Sequence, residues 1–339
     1  MLARFFVFIV IILSSAQIAR AAPRVVTDIA PVHSLVAQVM DGVGAPSLTL
    51  PPGVSPHGYA MRPSEAAVIQ DADVIFWIGD ALTPWLARSL NTLAPKATVV
   101  ALSEADGMRH LPVRSDEAFG SHDHDHRHDD DGHDDDGHDG DHGHDKHTDD
   151  EHNHDEHAHA KDHNAEHYGD IDPHVWLDPA NARAMVAAIT ATLAGADPDN
   201  AVRYRSNAKA AADRLTALET EIEGLLGPVR DQPFFVFHDA YQYFEDRFGV
   251  TALGAVKLSD ASDPGVRKVQ AVRDDLTADA AACIFAEPQF DRKLIDSLRD
   301  GLAVKVGILD PLGAGLPVGA TLHEAMMRNM AQSFAECLR

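Results

Sequence analysis

Three histidines and one aspartate occupy short, stiff turns of the sequence, where a metal ligand would be held in place. His57, His238 and Asp310 each come just after a predicted strand, and His174 lies between two Asp-Pro pairs. Three neutral imidazoles with at most one carboxylate form a zinc-type donor set, which also suits copper or nickel. Taken alone, each residue is better explained without a metal: His57 as a turn residue, His174 as a surface histidine in a loop before a helix, His238 as a core-edge histidine and Asp310 as a cap. All four nevertheless lie in similarly restricted segments, next to proline or before a helix, and this shared feature favours a metal site.

The stretch 172–179 should hold His174 firmly. Pro173 restricts the residue before it to extended conformations. Asp178 and Pro179 are typical of a helix N-cap followed by proline at the first helical position. We therefore expect His174 on a short extended segment directly upstream of a helix. Glu287 and Asp239 are candidates for hydrogen bonds that orient the histidines, although either also suits an ordinary turn.

Strands alternate with helices in two similar series, which predicts a parallel sheet in each half of the chain. Continuous apolar runs such as 73–78 are typical of strands buried on both faces. The predicted strands span 24–27, 48–50, 73–78 and 97–101, then 234–237, 251–256, 283–286 and 304–309. Residues 321–324 have the pattern of a capping box for the last helix. In such sheets ligands bind beyond the carboxyl ends of the strands, where His57, His238 and Asp310 occur.

One long helix should join the two series. The predicted helix runs over 198–226, about 40 Å at ~1.5 Å per residue, with apolar residues at three- and four-residue spacings on one face. The fold class is therefore α/β, with two four-stranded, mainly parallel lobes joined by a rigid backbone helix. The predicted lobes are 22–196 and 228–339, with 197–227 as the linker. A stiff linker favours small lobe movements.

The start of the chain and one internal segment stand apart in composition. Residues 1–21 have the basic start, apolar stretch and small-residue cleavage site of a secretory signal, and the apolar stretch is too short for a membrane anchor. Residues 121–167 contain 15 of the 21 histidines, and such a segment is predicted to form a mobile loop. Most of the net charge of −25 comes from the 16 Asp and 3 Glu of residues 121–170. This acidity disfavours nucleic acid and anionic membranes, and favours cations.

Two cysteines, Cys283 and Cys337, complete the chemically informative residues. An even number of cysteines in an exported chain favours a disulfide, which would tie the last helix to the second sheet. Two buried free thiols are the alternative.

These motifs resemble those of the periplasmic zinc-binding proteins of bacterial ABC zinc uptake systems, within the metal-specific family of substrate-binding proteins. The resemblance covers nearly the whole mature chain. It rests on five segments, namely 55–64, 172–179, 237–241, 285–290 and 309–313. It implies metal held between two lobes by His57, His174 and His238, with Asp310 or water completing the site.

The resemblance also implies a metal, a partner and a location. Manganese binders of the family usually have a carboxylate where His238 stands, so zinc is favoured. Some zinc binders have a glutamate where this chain has Pro56, which cannot serve as a ligand. The cysteine pair resembles the disulfide of Gram-negative members. The expected protein is a periplasmic monomer that hands zinc to a membrane permease and its ATPase, without a lipid anchor.

Other functions remain open from the sequence. Three histidines with an open position are also the donor set of zinc hydrolases, although no nucleophile motif accompanies them. A manganese or iron carrier of the same fold, and a zinc buffer without a transporter, are further alternatives. The segment 121–167 is interpreted as a weak zinc collector; it could instead sense excess zinc or be only a solvated acidic tract.

Overall fold

The computed structural model describes residues 21–114, 171–257, 264–278 and 281–339. Nearly all of the predicted signal, residues 1–21, and the whole predicted loop, 121–167, lie outside the described residues. Among those described, no helix is both long and apolar enough to cross a membrane.

Two four-stranded parallel sheets form, as the alternation of strands and helices predicts, and both have the same topology. The sheet orders are β2-β1-β3-β4 and β6-β5-β7-β8. The strands are β1 (Val25–Thr27), β2 (Ser47–Leu48), β3 (Val74–Trp77), β4 (Thr98–Ala101), β5 (Phe234–His238), β6 (Gly254–Lys257), β7 (Cys283–Ala286) and β8 (Lys305–Ile308). The central strands β3, β5 and β7 are buried at every position, as their continuous apolar sequences predict. The fold class is therefore confirmed.

Helices flank the sheets and link them. They are α1 (Ala30–Val39), α2 (Pro63–Gln70), α3 (Pro84–Leu93), α4 (Pro179–Ala196), α5 (Ala201–Leu226), α6 (Gln242–Phe248), α7 (Val266–Ala278), α8 (Lys293–Arg299) and α9 (Leu322–Leu338). The 26 residues of α5 span about 39 Å. Its buried face includes Leu215, Leu218, Ile222 and Leu226, which confirms the predicted apolar stripe.

The hydrophobic core is continuous between the two halves. One cluster runs from β1 and β3 through α4, α5 and α9 to β5 and β7, and a second cluster covers the other face of the second sheet. Because interiors are packed to high density, sliding the halves apart would open voids along α5. This packing supports a molecule whose halves move little.

The predicted cysteine pair forms the disulfide Cys283–Cys337. Cys283 is the first residue of β7, and Cys337 lies in the last turn of α9. The bond therefore ties the C-terminal helix to the second sheet, as the sequence suggested.

Three local predictions were wrong. The long helix begins at Ala201 rather than at Pro198, because Pro198–Asn200 forms a 3₁₀ turn closed by the Asn200 N–H and the Asp197 carbonyl. The capping box at 321–324 does not form, since Glu324 pairs with Arg214 of α5. His174 does not lie on an extended segment; it begins the 3₁₀ turn Val175–Leu177, closed by the Leu177 N–H and the His174 carbonyl.

The start of α9 is instead held by contacts with the first half. The backbone N–H of His323 donates to the Ser34 hydroxyl at 3.0 Å. The His323 ring is fully buried and its Nε2 donates to the carbonyl of Trp176 at 2.9 Å. Burial lowers the pKa of His323 below its ordinary value of 6.5, against a weaker raising effect of that hydrogen bond.

This burial predicts a pH dependence of stability that His323→Gln should reduce. Below about pH 6.5 the unfolded chain takes up a proton that folded His323 resists. The contribution of neutral His323 to the free energy of unfolding is thus present above that pH and is lost as the pH falls. Glutamine keeps an N–H donor and does not titrate. Urea unfolding of the metal-free proteins at pH 7.5 and 5.5 should show a smaller loss for the variant; equal losses would contradict the prediction.

Candidate metal centre

His57 lies on the loop between β2 and α2, which tertiary contacts hold against the first half. The indole N–H of Trp85 donates to the carbonyl of Pro56 at 2.7 Å. The backbone N–H of His57 lies 3.3 Å from the Ser55 hydroxyl. The Tyr59 hydroxyl donates to Glu65 in the first turn of α2 at 2.7 Å. These contacts place a half-buried His57 ring beside the second half.

His174 is buried and is oriented by a carboxylate. One oxygen of Asp172 accepts hydrogen bonds from the His174 backbone N–H at 2.9 Å and from its ring Nδ1 at 2.7 Å. This arrangement leaves Nε2 as the nitrogen available to a metal. The N-cap predicted at Asp178 is present, since its side chain accepts the Ala180 N–H at 2.7 Å. The turn and the helix together hold His174.

His238 is the last residue of β5, at the carboxyl end of the second sheet. Its Nδ1 lies 2.5 Å from a carboxylate oxygen of Glu287, which directly follows β7. Strands β5 and β7 pair in parallel, so their ends bring the two side chains together. Glu287 is therefore the orienting partner that the sequence suggested for one histidine.

The structure brings the three histidines to one point. One nitrogen from each ring lies within 4.8 Å of the other two. The Nε2 atoms of His57 and His174 are 3.3 Å apart, and the ring centroids of His174 and His238 are 5.4 Å apart. Nitrogens bound at about 2.0–2.1 Å in a tetrahedral site lie about 3.3 Å from one another. The spacing therefore suits one small cation.

The surrounding wall is largely apolar and draws on both halves. Trp176, Phe290, Pro311 and Leu312 line the pocket beside the histidines. The indole N–H of Trp176 donates to the carbonyl of Pro311 at 2.8 Å, which links the two sides. Such a wall limits water near the imidazoles and strengthens electrostatic attraction to a cation.

Asp310, the fourth predicted site residue, does not join the cluster. Its Oδ1 accepts the Leu312 backbone N–H at 3.2 Å and lies 3.3 Å from the Gln289 amide nitrogen. Its Oδ2 lies 3.4 Å from the Gly315 backbone nitrogen. Among the residues with described positions, only His57, His174 and His238 form a group of possible metal ligands. In this structure the Asp310 carboxylate stabilises its own turn.

Asp239 also differs from the sequence expectation. It faces Arg114 at 3.3 Å instead of orienting a histidine. Burial raises the pKa of Asp239 to about 7, and the charge of Arg114 opposes that rise. Asp172, which sequence reasoning did not single out as an orienting residue, has that role for His174. An Asp two residues before a candidate ligand was the available signal, because Asp side chains often bond the backbone N–H two residues on.

The fold and site define a class: α/β proteins of two parallel sheets with a three-histidine cation site between them. A family model described as zinc-uptake complex component A, periplasmic (ZnuA), matches residues 25–337, and the chain belongs to this family.

Curated relatives and solved structures agree with this assignment. The ZnuA protein of Brucella abortus is 44% identical over 314 residues, which cover 93% of this chain and 91% of the relative. That of Paracoccus denitrificans is 44% identical over 329 residues, covering 96% and 95%. Both are described as high-affinity zinc uptake system proteins.

Among solved structures, a ZnuA crystal structure matches with a TM-score of 0.70 at 18% identity, covering 94% of this chain and 100% of the other. TroA, a periplasmic zinc-binding protein from Treponema pallidum, matches with a TM-score of 0.69 at 19% identity, covering 94% and 99%. These two structures support the fold.

Proposed function

We propose that this protein captures Zn²⁺ between its two lobes and delivers it for uptake through an ABC permease and its ATPase. The observation that carries the proposal is the meeting of His57, His174 and His238. Two of these rings come from the first half and one from the second. A cation bound by all three would therefore join the halves.

The donor set favours zinc as the cargo. Imidazole nitrogens suit zinc, whereas carboxylate and carbonyl oxygens suit magnesium, calcium or manganese. Carboxylates behind His174 and His238 fix the ring orientation and raise the basicity of the ligand nitrogens. Curated relatives with matching length are described as zinc uptake proteins, which favours zinc over a manganese or iron cargo.

We infer that the three histidines are the protein ligands and that water takes the fourth position. Asp310 would have to give up contacts with Leu312, Gln289 and Gly315 to join them. Backbone N–H groups left unpaired in a partly buried turn are costly. Asp310 as a direct ligand, the prediction from the family resemblance, is the alternative to this proposal.

Binding and release, rather than catalysis, is the proposed activity. The lobes are proposed to span 22–196 and 228–339, with 197–227 as the linker. The family description and the names of the relatives support uptake from the periplasm. An export signal over 1–21, a monomeric state and a permease partner are parts of the same proposal. Residues 121–167 are proposed to collect zinc weakly for the main site.

Zinc titration with a competing chelator tests the function and the role of the histidine-rich segment together. Removing 121–167 should lower the number of zinc ions bound per chain and leave one tight site, because the proposed ligands lie outside the removed segment. The matched control is the full-length chain under the same conditions. Loss of the tight site on removal would place that site in 121–167 and refute the proposed ligands.

A further inference from the structure

Two short segments that flank the histidine-rich part of the sequence pair with each other. Residues 109–114 and 171–173, here called the strap, are joined by an antiparallel bridge between Pro112 and Ile171. The Asp172 N–H also donates to the carbonyl of Leu111 at 2.9 Å. The strap follows β4 and leads directly into His174, so it belongs to the first half of the molecule.

The strap is fixed to its own half through α4. The Asn181 side chain accepts the backbone N–H of Arg109 at 2.8 Å and donates to the Arg109 carbonyl at 3.0 Å. This pair of hydrogen bonds holds the backbone of Arg109 in one position relative to α4. The Arg109 side chain therefore extends from a backbone position that is fixed relative to α4.

The same strap contacts α6 of the second half through polar groups. The Tyr243 hydroxyl accepts the Leu111 N–H and donates to the Asp172 carbonyl, both at 3.0 Å. The Arg109 guanidinium binds both carboxylate oxygens of Asp246, one of them at 2.9 Å. Arg114 pairs with Glu245 at 2.8 Å. Three side chains of α6, in the second half, thus bind the strap, which belongs to the first half.

These contacts lie next to the proposed zinc ligands. Asp172 of the strap orients His174, and Arg114 of the strap faces Asp239, the neighbour of His238. His174 and His238 come from different halves, so even a small movement that draws their rings apart would weaken the hold on zinc. Residues 171–173 directly precede His174 and hold 109–114 through the Pro112–Ile171 bridge, while α6 begins four residues after His238. A movement that draws the two rings apart would therefore also pull on the contacts between the strap and α6.

We propose that the ion pairs between the strap and α6 set the rate of zinc release, with Arg109 and Arg114 as positioning residues. This inference rests on the proposed function, since it needs zinc bound by the three histidines. Breaking the Arg109–Asp246 pair should raise the zinc dissociation rate. Reversing one charge turns the attraction between the strap and α6 into repulsion, which disfavours the arrangement in which the two are in contact.

Charge reversal at the half-exposed pair provides the test. The side chains of Arg109 and Asp246 are 47% and 35% exposed, so their substitution should not prevent folding. The proteins are Arg109→Glu, Asp246→Arg, the double variant and the wild type, each loaded with one equivalent of zinc. The measured quantity is the rate constant of the slow phase of zinc transfer to excess chelator. Stopped-flow absorbance monitors that transfer. Thermal midpoints of the metal-free proteins are measured alongside.

Arg328→Glu is the matched control. Arg328 and Glu221 form a similar two-pronged pair at 2.8 and 2.9 Å, with 36% and 43% exposed side chains. That pair joins α9 to α5 and does not touch the strap or α6. A general loss of stability would affect this control as much as the strap variants, whereas control of release would not.

We expect each single reversal to raise the zinc dissociation rate about tenfold. The double variant, in which the opposite charges are restored, should have a dissociation rate within about threefold of that of the wild type. The control should stay within about twofold. A folded Arg109→Glu protein that releases zinc at the wild-type rate would overturn the inference, as would a double variant as fast as the singles. The zinc affinity of the wild type is measured before the rates are compared. A wild type without a tight zinc site would overturn the proposed function rather than this inference.

Discussion

Replacing His238 with alanine should abolish tight zinc binding, because the second half then contributes no imidazole to the cluster. The remaining His57 and His174 both come from the first half, so zinc would no longer join the two sheets. Losing a direct ligand should weaken binding by more than the roughly 10–100-fold typical of residues that only orient one. Chelator competition on chains lacking 121–167 measures the change without zinc held by that segment.

Two companion variants separate the possible reasons for such a loss. Glu287→Gln keeps a group that can accept from His238 Nδ1 and removes the charge, so it should weaken binding by about tenfold. His33→Gln removes an imidazole of α1, outside both the cluster and the strap, keeps an N–H donor for the Pro46 carbonyl, and should leave zinc affinity unchanged. A tight site that survives His238→Ala would show that zinc binds elsewhere.

Removing the disulfide with Cys283→Ser and Cys337→Ser should lower the free energy of unfolding by about 4 kcal/mol. The two cysteines are 54 residues apart, so the reduced unfolded chain gains the conformational entropy of a long loop. Both side chains are buried, and Cys283 begins a central strand. Urea unfolding of the metal-free protein, followed by circular dichroism, measures the loss.

The wild type in excess reductant is the matched comparison for the double serine variant. Both should unfold at similar urea concentrations, well below that of the oxidised wild type, and reductant should not alter the variant further. A loss below about 1 kcal/mol would mean that packing of α9 on the second sheet already supplies most of the order that the bond imposes.

Much of the fold was predictable because its signals act over a few residues of the chain. Apolar runs predicted the buried strands β3, β5 and β7, and the Asp178-Pro179 pair predicted the start of α4. Proline and short-range hydrogen bonds restrict the backbone locally, whatever packs around it. Where a local pattern was wrong, as at residues 321–324, a distant partner had taken the capping group: Glu324 pairs with Arg214.

The candidate ligands were also visible in the sequence, because residues that follow parallel strands share one edge of a sheet. His57 and His238 were identified in this way, and His174 from the two Asp-Pro pairs around it; the structure brings the three together.

Only the tertiary structure decided which neighbouring carboxylates serve the site. Glu287 and Asp239 looked equivalent in sequence, yet one contacts His238 and the other contacts Arg114. Asp310 turned towards its own backbone, although its position after a strand resembled that of the histidines. Side-chain direction depends on the hydrogen-bond partners that packing supplies, and a single sequence does not contain that information.

The contacts between the strap and α6 illustrate the same limit. Arg109 and Asp246 are 137 residues apart in the chain, and nothing in their local sequences links them. The sequence by itself determined the strands, the helices and the three candidate histidines, since each depends on residues close in the chain. Tertiary packing determined which carboxylates orient those histidines and docked α6 against the strap, because contacts between distant residues exist only once the chain has packed.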